Sequence, residues 1–184
     1  MNNMMKKSIK ICSLALVLAG CGVAGTFSVY ADAPAAKVED AASSPVGKAL
    51  EKADYLTKDR PNTKARYYLF LYSASWCGPC RREMPHVVRT YRKIRQSDDV
   101  ELVLFSCDKT EEAAKAWAKE ERMKFPIIKP KKGNGIPGYA PGGTIPRLGI
   151  VDNTGKPVIT GHPAKILDDW RKHCKNCLLY TSDA

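Results

Sequence analysis

Histidine is scarce in this sequence, three residues in 184, and none follows the second cysteine of a Cys-x-x-Cys pair. Covalent haem attachment needs that histidine and is excluded: Arg81 follows Cys80, and His173 precedes Cys174. No internal repeat is visible, which removes solenoids and propellers. Packed runs of basic residues are also missing. The formal charge is +11 and falls to +8 without the three lysines of residues 1–31, yet the charges spread over predicted helix faces (Arg89, Arg92, Lys93, Arg95; Lys115, Lys119, Arg122). That spacing describes solvated helix surface and not a nucleic-acid stripe. Attraction to anionic lipid or to acidic partner proteins stays open.

Lys6, Lys7 and Lys10 form a positive n-region ahead of an apolar stretch, Ile11 to Gly20, too short to span a bilayer. Residues 1–31 therefore read as a secretory signal, and the protein is expected to be exported, periplasmic or held outside the cytoplasmic membrane of a bacterium. Two processing routes compete. Leu18-Ala19-Gly20-Cys21 resembles the bacterial lipobox, which would acylate Cys21 and anchor the chain to lipid; Val29-Tyr30-Ala31 and Ala31-Asp32-Ala33 suit ordinary signal peptidase, with Pro34 favouring the cut after Ala31. Residues 32–45, rich in Ala, Ser, Pro and charge, read as a flexible linker. The folded domain is expected over 46–178, with a tail at 179–184.

The chemistry is concentrated in Trp76-Cys77-Gly78-Pro79-Cys80. Before it, Tyr67 to Tyr72 is an aromatic and apolar run suited to a buried strand. After it, Met84, Val87, Val88, Tyr91 and Ile94 recur at the helical period, predicting a helix over 80–96. Cys77 thus stands at a helix N-terminus, where unpaired N–H groups and the macrodipole favour a thiolate, the attacking species in disulfide exchange. Cys80, one turn further in, is placed to resolve the mixed disulfide that Cys77 forms.

A strand over 100–106 and a helix over 110–121, capped by Thr110 and opened by Glu111-Glu112, continue the alternation. Such βαβ order implies parallel strands and an α/β fold. A short amphipathic segment, Val46 to Leu56, precedes it. Residues 129–143 hold five glycines and three prolines and read as a loop. Strand Arg147–Val151, the turn Asp152–Gly155 and Pro157–Thr160 form a hairpin that closes the sheet antiparallel. A last helix is expected from Pro163 to about His173.

Over roughly residues 64 to 173 the chain resembles the thioredoxin superfamily, within it the exported TlpA-type and the tryparedoxin- and nucleoredoxin-like branches. The resemblance rests on Ser73 to Pro85 (SASWCGPCRREMP), on Phe105-Ser106-Cys107-Asp108 before a charged helix, and on Thr144-Ile145-Pro146 opening a strand. It implies a three-layer sandwich, a central mixed sheet with flanking helices. It also implies that Cys77 is the nucleophile, Cys80 the resolving thiol, Pro85 the kink of the active-site helix and Pro146 a cis-proline facing the disulfide. Gly78 and Pro79 between the cysteines, and Trp76 before them, belong to the same motif. A cis X-Pro exposes the preceding backbone edge, so Ile145 would pair with a client's extended chain, and Trp76 would contact it. Thioredoxins proper carry a buried acid six residues before the nucleophile, where this chain has Leu71; proton handling must differ, through a glutamate elsewhere or through water.

The resemblance implies thiol-disulfide exchange on exported proteins, needing no metal or organic cofactor. Gly-Pro between the cysteines is similar to the reducing thioredoxins, near about −270 mV, more than to the oxidising members near about −120 mV. A reductase would need a membrane thiol-disulfide electron donor. The rival is a client-binding module that uses the Ile145 edge without turnover; a peroxidase would want a lone cysteine in place of this dithiol. Cys174 and Cys177 read as a structural disulfide, a redox relay or a zinc half-site, with zinc disfavoured by the distance between the two pairs. Cys107, ending a buried strand pattern, reads as a small apolar residue. Trp117 reads as core, His86 as solvated, and His162 carries no signal.

Overall fold

The structure, a computed structural model, describes residues 44–174. The expected signal sequence with Cys21, most of the expected linker, and Cys177 lie outside the described residues. The last two linker residues belong to the fold: Ser44 is buried and caps helix α1 (Pro45–Glu51), its hydroxyl accepting from Gly47 N at 3.1 Å. Pro45 takes the first helical position, where a missing N–H costs nothing.

Five strands form one mixed sheet in the order β3-β2-β1-β4-β5. Strand β1 (Tyr67–Ser73) is central, parallel to β2 (Val100–Ser106) on one side and antiparallel to β4 (Arg147–Asp152) on the other. Strand β3 (Ile127–Ile128), parallel to β2, and β5 (Pro157–Gly161), antiparallel to β4, complete it. The expected hairpin is present. Asp152 Oδ1 accepts from Thr154 N, Thr154 Oγ1 and Lys156 N at 2.9, 2.6 and 3.0 Å, and Gly155 adopts φ +93°, which suits a glycine.

Both faces of β1 are buried, and its side chains part the core by alternation. Leu69 and Leu71 face helices α2 (Gly78–Ile94), α3 (Glu111–Glu120), α4 (Pro163–Asp168) and α5 (Trp170–His173), packing with Met84, Trp117, Ile166 and Trp170. Tyr68, Phe70 and Tyr72 face the other layer, with Val46 and Leu50 of α1 and Ile136 of the 129–143 loop. The three layers are thus helices, mixed sheet, and a thinner cover of one short helix and a loop. No helix among the described residues is long and apolar enough to cross a membrane.

Three boundaries differ from expectation. Helix α2 starts at Gly78 and not at residue 80, because the Cys77 sulfur caps it and Gly-Pro fills its first two positions; it continues through Pro85. The final helix is two pieces, since Asp169 leaves helical geometry at φ −120°, ψ 18°. The two-residue β3 falls below the length at which a pattern can be read.

Helix α1 is fitted tightly. A Cβ on Gly47 would collide with the Thr63 carbonyl and stand 2.9 Å from Ser44 Oγ. Gly47→Ala is therefore expected to destabilise the domain by about 1–3 kcal/mol, measured by denaturant unfolding; an unchanged midpoint would show that α1 is free to shift.

Candidate active site

Strands β1 and β2 end together, Ser73 opposite Ser106, and β4 begins at the same pole with Arg147 opposite Tyr72. Three loops therefore converge: residues 74–77 leaving β1, 107–108 leaving β2, and 145–146 entering β4.

Ala74 O accepts from Cys77 N at 3.2 Å, closing a tight turn. Cys77 itself is extended (φ −88°, ψ 107°) and is the N-cap of α2; its sulfur accepts from Cys80 N at 3.2 Å. A helix N-terminus has more N–H donors than partners, so a sulfur placed there is stabilised in proportion to its negative charge. Cys77 and Cys80 are disulfide-bonded, Cα to Cα 5.2 Å. The two sulfurs are not equivalent: Cys80 has no exposure, whereas Cys77 keeps 6%. An incoming group meets Cys77 first.

The Ile145–Pro146 peptide is cis, and Ile145 O lies 3.7 Å from Cys77 Sγ. The contact expected between the cis-proline segment and the dithiol is thereby observed. Trp76, directly before Cys77, stands 63% exposed and offers an apolar face to whatever approaches the pair. Arg81, directly after Cys80, pairs with Glu120 of α3 and ties the start of α2 to that helix.

One residue at this pole has no role in the sequence reading. Asp108 is 3% exposed; its Oδ1 accepts from Ser75 N at 2.9 Å and Ser75 Oγ at 2.6 Å, and its Oδ2 from Ser106 Oγ at 3.0 Å. A buried carboxylate with these charge-assisted bonds staples the turn before Trp76-Cys77 to the end of β2. The motif that could have found it, Phe105-Ser106-Cys107-Asp108, is legible, but its partner Ser75 lies 33 residues away in sequence.

Cys107 departs from its reading as a buried apolar group, for it is exposed. Partial desolvation by the neighbouring protein nonetheless raises its thiol pKa; the Asp108 carboxylate adds to the rise, against the Ser73 hydrogen bond and Arg147. His86 is half-buried and not simply solvated, its Nε2 3.3 Å from Asp168 Oδ1 of α4. Trp117 is core, and His162 begins α4 without a side-chain cap. Cys174 is buried beneath α5, while its pairing with Cys177 lies outside the described residues. Leu71 is core. The buried glutamate, Glu101, has its pKa raised by burial but lies in register with Tyr68, five residues below the dithiol pole, about 16 Å down the strand. It cannot stand in for the missing acid.

The AhpC/TSA family model matches residues 29–156. The thiol-disulfide oxidoreductase ResA of a Bacillus cereus strain is 30% identical over 158 residues, covering 84% of this chain and 88% of that protein. ResA of Bacillus thuringiensis subsp. konkukian is 28% identical over 163 residues, covering 83% and 87%. Among solved structures, a thiol:disulfide interchange protein from Bacteroides sp. shares the fold at TM-score 0.52 and 20% identity, covering 64% of this chain and 79% of that one.

In the reduced protein Cys77 is expected to alkylate with iodoacetamide well before Cys107, whose raised pKa delays its reaction until the pH exceeds that at which an ordinary cysteine titrates. Peptide mapping across a pH series checks the order. Asp108→Ala leaves the Ser75 N–H and two hydroxyls without their acceptor and is expected to cost about 1–3 kcal/mol. It should also slow reduction of protein disulfides. Asp108→Asn, which keeps the shape, should lose less of both; equal rates for all three proteins would show that the staple does not position Cys77.

Proposed function

Since the chain belongs to the AhpC/TSA family of the thioredoxin superfamily and is a thiol-disulfide oxidoreductase, we propose that its Cys77–Cys80 pair reduces disulfides of exported proteins. One observation supports the assignment of roles: Cys77 caps α2 beside Ile145 O and keeps the pair's small remaining exposure, while Cys80 is sealed beneath it. In the reduced state the Cys77 thiolate attacks one sulfur of the client disulfide. That S–S bond breaks, the client's other sulfur leaves as a thiolate, and a mixed disulfide joins Cys77 to the client. Cys80, losing its proton, then attacks Cys77 Sγ and expels the second client thiolate. The client gains two electrons, and the protein ends with the Cys77–Cys80 bond.

The supporting groups follow from placement. The Ile145 backbone edge and the exposed face of Trp76 receive the client chain, and Gly78, Pro79 and Pro85 set the start and course of α2. The direction of electron flow follows the Gly-Pro pair between the cysteines, and a membrane thiol-disulfide donor would recharge the dithiol. Residues 1–31 supply the export signal, with Cys21 the lipid attachment point if the lipobox is used. Cys174 and Cys177 are the candidates for a second pair, a structural disulfide or a redox relay. The AhpC/TSA match raises a peroxide-reducing alternative, which the dithiol and its sealed partner disfavour.

Cys77→Ser is expected to abolish insulin reduction. Cys80→Ser should instead accumulate dithiothreitol-reversible adducts with exported proteins, because attack survives and resolution does not. Insulin turnover at background level in the unaltered protein would favour the client-binding module. Pro146→Ala is expected to lower kcat/KM for insulin by about tenfold while changing the rate with a small disulfide much less.

A further inference from the structure

On the sheet face away from α2 lies a cavity of about 250 Å³ that runs from Arg147 and Tyr72, near the dithiol pole, past Phe70 and Gly149 to Val151 and Pro157 toward the other end of the sheet. Its origin is visible in the register. Arg147, Gly149 and Val151 alternate onto one face of β4, and Gly149 stands opposite Phe70 with no side chain to fill the layer between them. Arg147 stands opposite Tyr72, its guanidinium carbon 4.3 Å from the ring centroid.

The guanidinium is held but underused. It donates to Ala140 O through Nη2, and its buried Nε has no hydrogen-bond partner among the described residues. The loop above it, Pro141–Thr144, is exposed; Gly142 and Gly143 adopt φ +87° and +78° and place no side chain over the charge. A buried donor without an acceptor is costly, and a carboxylate reaching this guanidinium would relieve that cost while gaining a charge-assisted bond.

Arg147 also directly follows the cis-proline. It stands two positions after Ile145, whose carbonyl touches Cys77. An extended client paired along the Ile145 edge advances about 3.3 Å per residue, so a side chain two residues from the reacting cysteine stands roughly 7 Å away, the same span that takes the chain from Ile145 to Arg147 at one end of the cavity. The volume is below that of small-molecule sites, about 300–1,000 Å³, and admits one long side chain with room to spare. Its tyrosine and phenylalanine walls accept an apolar stem and its arginine a charged tip.

We propose that this cavity is a client subsite that selects an acidic side chain, glutamate above aspartate, two residues from the client's disulfide cysteine. The inference rests on the reductase reading and names its substrate class. The test uses disulfide-bonded peptides carrying Glu, Gln or Lys two residues to either side of the cysteine, with a second set placing the same residue six away, and 2-hydroxyethyl disulfide as a probe of exchange itself. For the unaltered protein, kcat/KM should favour Glu over Gln by about tenfold at one of the near positions, with little preference at the remote one. Arg147→Gln should bring the near ratio close to one, and Gly149→Ala, which keeps the arginine but fills the cavity, should reduce it as well. Arg89→Gln, on the exposed face of α2, should leave the ratio as it was. Equal rates for Glu, Gln and Lys with the unaltered protein would overturn the subsite, as would a preference of the same size at the remote position or one that survives in Arg147→Gln. Failure to reduce 2-hydroxyethyl disulfide at all would instead overturn the reductase reading.

Discussion

Everything at the reactive pole depends on β1 being hydrogen-bonded along both edges. Its parallel partner β2 ends where it ends, and its antiparallel partner β4 begins there. Three separate loops are thereby delivered to one place by main-chain register, without any contact among the loops themselves being needed to bring them together. The side chains refine what the register has set: the Cys77 sulfur closes the first turn of α2, Asp108 fixes the turn before it, and the Ile145 carbonyl comes against the same sulfur. The aromatic run Tyr67–Tyr72, poor in polar groups, is what makes a doubly buried central strand affordable in desolvation terms.

The parts of this arrangement that local chain properties determine are legible in the sequence. A strand followed by Trp-Cys-Gly-Pro-Cys and a period-3.6 segment places a cysteine at a helix cap whatever surrounds it, whereas the cis peptide before Pro146 is legible only through the resemblance to a known family. Thr110 as N-cap and the Asp152–Gly155 turn are readable for the same reason. What stays hidden depends on partners distant in sequence. Nothing local says that Asp108 will accept from Ser75, or that Cys107, at the end of an apolar strand, comes to the surface. The break at Asp169 is hidden for another reason: Ile166, Leu167, Trp170 and Cys174, all buried, keep the spacing of one helix face across it, so the apolar pattern carries no mark of the interruption.

The two sides of the sheet are unequally covered, and the inequality bears on function. Four helices pack on the Leu69 and Leu71 side, where Cys80 is sealed. On the Tyr68, Phe70 and Tyr72 side a seven-residue helix and a Gly/Pro-rich loop do the same work, and the ring contacts among Tyr72, Phe105 and Tyr139 replace aliphatic interdigitation. A loop held by aromatic contacts and by Tyr72 Oη accepting from Ala140 N leaves a gap that a helix would have closed. The thin layer thus leaves a partly open, mainly aromatic wall on the sheet face opposite the one that holds Cys77 and Cys80.

Helix α1 enters this layer at the far pole. Val46 N donates to Asn153 O at 3.2 Å, just past the end of β4, and Gly47 abuts Thr63, whose carbonyl accepts from Tyr68 Oη near the start of β1. The polypeptide therefore joins the domain at the opposite end of the sheet from Cys77, a full strand length away. The point where the described chain enters the domain and the pole that carries the reactive sulfurs therefore share no surface, and a group bound at one leaves the other uncovered.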